Sequence, residues 1–170
     1  AQGYSYYKDY VGTKWLLLGS LTKSTYPTQK LNIKIFGGDV SSANLGISTY
    51  TISLRDGLKI NLHREDGSHS ATRYAFKVYE TATTYDFVIE IAYQWVIFNI
   101  ESVLLRIPLS GVNTIASTEY LPISFYDPIG KTDVTADYPV NAIFATDIYG
   151  NIGMGTENPK AKLDVRGKII

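Results

Sequence analysis

Apolar and polar side chains alternate with a period of two along most of the chain, the pattern of strands with one dry and one wet face. In KLNIKIF, Leu31, Ile33 and Ile35 alternate with Asn32 and Lys34. YTISLRDG sets Ile52 and Leu54 against Ser53 and Arg55. LKINLHRED turns Leu58, Ile60 and Leu62 inward and Lys59, Asn61 and His63 outward. RYAFKVYE continues the pattern through Tyr74, Phe76 and Val78, and YDFVIEIAY through Tyr85, Phe87, Ile89 and Ile91. KWLLLGSL predicts a further strand near the start, with Trp15 and Leu17 on one side. In WVIFNIESVLL, Val96, Phe98 and Ile100 alternate with Trp95, Ile97 and Asn99, so both faces carry apolar residues. That pattern predicts a central strand covered by the core on one face and by a partner on the other.

Turn chemistry separates these runs: Gly37-Gly38, the Ser41 to Gly46 loop, Asp56-Gly57 and Asp66-Gly67. No window combines a helical repeat with a cap and a stop. About seven strands at this spacing predict an all-β fold, an antiparallel β-sandwich of jelly-roll type. From Ser110 the texture changes to shorter candidates, LPISFYD and NAIFATDIY, joined by surface loops. The organisation expected is a sandwich over 1–149, followed by a short extended β segment over 150–170 that leads into a stem. GYSYYKDY reads as an exposed leader of a mature secreted chain, and the strand-like stretch before Ile170, with no closing turn, as a chain that continues.

Composition narrows the chemistry. The 170 residues include 16 basic and 16 acidic ones, a balance that argues against a broad nucleic-acid footprint. No apolar run approaches the roughly 20 residues of a membrane-spanning helix, so no membrane insertion is expected. Cysteine is absent, which removes disulfides, thiolate metal sites and a Cys nucleophile.

The stretch NIGMGTENPKAKLDVRGKI stands apart. A phosphate loop would lead its glycines into a helix N-terminus with Lys and Ser or Thr at fixed places. Here Pro159 follows Gly155 and KLDVRGKI alternates as a strand does, so that reading fails. Gly150, Asn151, Ile152, Gly153, Gly155, Thr156, Pro159, Lys162, Leu163, Val165 and Gly167 match a segment, roughly GN-(I/V)-G-(I/V)-G-T-x-x-P-x-x-K-L-x-V-x-G. In this the chain resembles phage tail fibres and tail-fibre-like secreted bacterial proteins. Met154 replaces the usual Ile or Val, and Arg166 a residue that is often Asn or Asp. The resemblance covers only about the last 20 residues. It implies an extracellular or virion location, a receptor-facing or spacer domain ahead of a trimeric stem, and often an intramolecular chaperone domain further on. Physically, glycines permit close approach of chains, and Ile152, Met154, Leu163 and Val165 are too few to form a core in one chain. With Gly153 and Gly155 they are the expected contacts of a homotrimer; the plainer alternative is a tail strand that pairs with its own sandwich.

Two further clusters are candidate contacts. HREDGSHSATR carries His63, Arg64, Glu65, Asp66 and His69 around a hairpin tip. No third fixed ligand is apparent, so a receptor-contact surface is expected there rather than a metal or an acid–base pair. Tyrosine is abundant, 14 residues against 6 Phe and 2 Trp, and Tyr4, Tyr6 and Tyr7 crowd the start, where their rings suit sugar stacking or an interface. No cofactor, metal or catalytic residue is expected. The function expected is a non-enzymatic fibre or adhesin module that binds a cell-surface receptor or glycan. The alternatives are a structural spacer of a trimeric fibre and a carbohydrate-active enzyme.

Overall fold

The alternating segments close into two sheets packed as a sandwich. The structure, a computed structural model, describes residues 3–24, 28–40, 46–65, 73–106, 117–147 and 149–170. In chain order the strands are β1 (Tyr4–Asp9), β2 (Lys14–Thr22), β3 (Lys30–Asp39), β4 (Ile47–Ser53), β5 (Lys59–Glu65), β6 (Tyr74–Glu80) and β7 (Thr84–Ile91). There follow β8 (Trp95–Arg106), β9 (Ser117–Tyr120), β10 (Ser124–Phe125), β11 (Thr132–Asp133), β12 (Asn141–Thr146), β13 (Ile152–Met154) and β14 (Leu163–Val165). The described residues contain no helix.

The larger sheet runs β1-β8-β3-β4-β5-β12-β13-β14, with β9 also paired to β8; the smaller runs β10-β2-β7-β6-β11. The sandwich is antiparallel except where β12 lies parallel to β5 and β14 parallel to β13. β1 and β9 share one edge of β8: Tyr4 faces Ile100, and Tyr120 faces Val103. Two stretches far apart in sequence thus lie end to end along one neighbour.

The core sits where the alternation places it. Leu31, Ile33 and Ile35, Ile60 and Leu62, and Val96, Phe98 and Ile100 bury against Leu16, Leu18, Val78, Phe87, Ile89 and Ile91 of the facing sheet. Rings bridge the two layers: Tyr50 stacks on Phe76 at 4.2 Å, and Tyr74 meets Phe98 edge-on at 5.2 Å. On β2 the fully buried side chains are Leu16, Leu18 and Leu21, while Trp15 and Leu17 lie on the other face; a register shift falls between Leu17 and Gly19.

One expectation changes. GYSYYKDY is no exposed leader, because its alternation places Tyr6 in the core and makes Tyr4–Asp9 an edge strand on β8. β8 is central as expected, between β1 and β3, with Val96, Phe98 and Ile100 on the core; the strand buried on both faces within this chain is β7. Phe87 and Ile89 of β7 face the core, while on the other side Asp86 accepts hydrogen bonds from Ser20, Thr84 and Tyr126 at 2.7, 2.8 and 2.7 Å. β8 keeps its outward residues open, with Trp95 and Ile97 exposed.

Burial raises the phenols of Tyr6, Tyr74, Tyr79 and Tyr126, and pushes Tyr50 up to about 12. A hydrogen bond with Tyr138, aided by burial, raises Tyr85. A phenol that holds its proton longer folded than unfolded contributes stability below its unfolded value near 10, and that stability is lost as pH rises toward the folded value. The melting temperature is therefore expected to stay level up to about pH 9 and fall beyond about pH 10, with the phenolate absorbance of these six tyrosines appearing only on unfolding. Full phenolate absorbance from the folded protein near pH 10 would contradict it.

Candidate functional site

Side chains directly opposite one another across a ladder share a face, so register assembles the outer face of the larger sheet row by row. Trp95 of β8 lies opposite Asp9, and Ile97 lies between Tyr7 and Gly38. The next row is Ser5, Asn99, Phe36, Ile47 and Glu65. Then come Glu101, Lys34, Thr49, His63 and Phe144, with the last two rings 5.8 Å apart. Tyr120, Val103, Asn32, Thr51, Asn61 and Asn141 form a row of amides and hydroxyls. The last row is Thr118, Leu105, Lys30, Ser53 and Lys59. The face therefore grades from aromatic and apolar at one end to amide, hydroxyl and ammonium at the other.

Over these last two rows lies an open groove of about 460 Å³, lined by Asn32, Thr51, Ser53, Asn61, Thr118 and both lysines, with Val103 and Leu105 as apolar surface. Asn141 Nδ2 donates to Asn61 Oδ1 at 3.2 Å, which leaves the Asn61 amide nitrogen to donate elsewhere. A second cleft, of about 280 Å³, opens where β1 starts and β9 ends. Tyr4, Glu101, Tyr120 and Pro122 line it together with Ser102, whose buried Oγ has no partner among the described residues.

The residues singled out from the sequence are divided among these places. His63, Glu65 and Tyr7 reach the outer face, and Tyr4 lines the edge cleft. Tyr6 is core, its hydroxyl bonded to that of Tyr10 at 2.9 Å. Arg64 is corrected most sharply: it is no exposed tip residue but is 3% exposed. It keeps the inward phase of Ile60 and Leu62, so its guanidinium enters the sandwich, where Nε donates to Ser48 Oγ at 3.0 Å and Nη1 to Glu157 at 2.8 Å. Asp66 and His69 lie outside the described residues. Among the described residues no three His, Asp or Glu side chains gather as a metal site.

The segment after residue 150 continues the larger sheet. Ala145 pairs with Gly153, and Gly153 with Asp164 on the inner side. Thr146, Ile152 and Leu163 form one outer row, and Met154 with Val165 the next. Ile152, Met154, Leu163 and Val165 thus share the outer face; Met154 is 45% and Leu163 58% exposed. The two motif glycines have uses within the chain. A Cβ on Gly153 would lie 2.5 Å from the Thr156 carbonyl oxygen, and one on Gly155, at φ +78°, 2.7 Å from that of Arg166. The close approach they permit is between neighbouring stretches of one chain. Arg166 draws the Asp164 carboxyl below its ordinary range through hydrogen bonds at 2.7 and 2.9 Å. Glu157 ties this segment to the interior through Arg64.

No family model, no curated protein and no solved structure matches the chain.

Proposed function

We propose that this protein is a non-enzymatic binding module of an extracellular fibre, either secreted or on a virion, that holds a cell-surface glycan on the outer face of its larger sheet. The groove over Asn32, Thr51, Ser53 and Asn61 carries this reading. Planar amides and hydroxyls match the paired donors and acceptors of sugar hydroxyls, and Val103 and Leu105 supply the apolar surface a sugar ring covers. Hydrolysis of a glycosidic bond uses two carboxyl groups across the bond; this lining supplies amides, hydroxyls and ammonium groups, a set suited to holding a sugar. The motif from Gly150 to Gly167 adds the fibre context by resemblance. The four apolar residues on the outer face of β13 and β14 fit contact between copies in a homotrimer.

A glycan array is expected to show binding that Asn32→Ala with Asn61→Ala removes while the melting temperature stays put. Polysaccharide left with the protein is expected to keep its chain length. An array blank at high micromolar protein would leave the spacer reading in its place, and shortened polysaccharide would make the protein an enzyme.

A further inference from the structure

The groove carries a charge that its sugar-like donors do not account for. Lys30 of β3 and Lys59 of β5 both flank Ser53 of β4, so their ammonium groups project from the same row of the same face. Two strand spacings separate them, about 9–10 Å. Both side chains are exposed, and neither takes part in an ion pair among the described residues. Acidic residues on the neighbouring strands face other basic groups. Glu119 of β9 pairs with Arg106 at 3.1 Å, and Glu101 faces Lys34 across the ladder. A protein with no net charge has thus placed two uncompensated cations at the two sides of one groove.

We propose that the ligand of this groove is an acidic glycan, whose anionic groups are held by Lys30 and Lys59 while Asn32, Thr51 and Asn61 take its hydroxyls. This rests on the reading of the groove as a glycan site. Two like charges facing open solvent at this spacing raise the local concentration of a polyanion and favour one long enough to span β3 to β5. A single small anion meets only one of them. The lysines act as point charges rather than forked donors, so carboxylated and sulfated sugars are both accepted.

Calorimetric titration with oligogalacturonate, with dextran sulfate and with a neutral malto-oligosaccharide tests this. Expected is binding of at least one acidic glycan that weakens as salt is raised, with the neutral one bound at least tenfold more weakly. Lys30→Gln with Lys59→Gln is expected to remove that difference without moving the melting temperature. Lys14→Gln, on the other sheet, should leave it unchanged. Equal binding of neutral and acidic glycans, or indifference to the double substitution, overturns the acidic ligand and leaves the glycan site standing. If no glycan binds to the wild-type protein, here or on the array, the site itself falls, and the acidic ligand with it.

Discussion

Replacing Glu157 by alanine is expected to cost about 3 kcal/mol of stability and to lower the melting temperature by roughly 6–12 °C, although residue 157 lies outside the hydrophobic core. The reason is the partner left behind. The Arg64 side chain is only 4% exposed and cannot turn to water, whereas that of Glu157 is 30% exposed. Removing the carboxylate strands a cation in a low-dielectric interior, where an uncompensated charge costs far more than the net worth of the pair. Arg64→Met, which keeps the length of the side chain, is expected to cost less, and the two changes together less than their sum. Thermal melts of the four proteins in that cycle decide it. A shift below about 2 °C for Glu157→Ala, at most about 1 kcal/mol, would mean the pair is structurally idle.

If the chain assembles as the proposed homotrimer, Leu163→Asp is expected to dissolve it while the sandwich stays folded. Leu163 shares the outer face with Ile152, Met154 and Val165, where a second copy would cover it. A carboxylate there would lose its water without gaining a partner, about 3 kcal/mol per contact, or more than a hundredfold in association. Within one chain the same side chain is exposed, and every core residue precedes position 150. Light scattering is expected to give a trimer for the native protein and a monomer, with an unchanged melt, for the variant. A native monomer at high micromolar concentration, or a variant trimer, removes this face from the assembly.

The period of two made most strands legible, since burying one face of each sheet forces alternation regardless of how the sheets connect. The same rule also locates Arg64. Counted from Ile60 and Leu62 it falls in the inward phase, but its polar neighbours in HREDG read as a solvated tip. A buried ion pair reverses the usual inference from polarity to exposure, and its partner Glu157 is 93 residues away. At the start of the chain, tyrosines occupy both phases, so Tyr6 inside and Tyr7 outside could not be told apart by hydrophobicity. The groove was illegible for another reason. Lys30, Asn32, Thr51, Asn61 and Lys59 come together only through the registers of β3, β4 and β5, and single-chain alternation fixes each strand's face but not its neighbours.

The first and last strands form opposite edges of one sheet, which makes that sheet a path for mechanical load. A pull applied between Tyr4 and Val165 would cross the ladders from β1 to β14 in turn. Those ladders differ greatly in length: ten residue pairs join β3 to β8, but three join β13 to β14 and two join β12 to β13. Under load the C-terminal edge, where few hydrogen bonds resist, would be expected to yield before the long central ladders. The Arg64–Glu157 pair ties this short-laddered edge to the interior, so under a pull it would be the contact that holds the last strands to the sandwich once their few ladder bonds are strained.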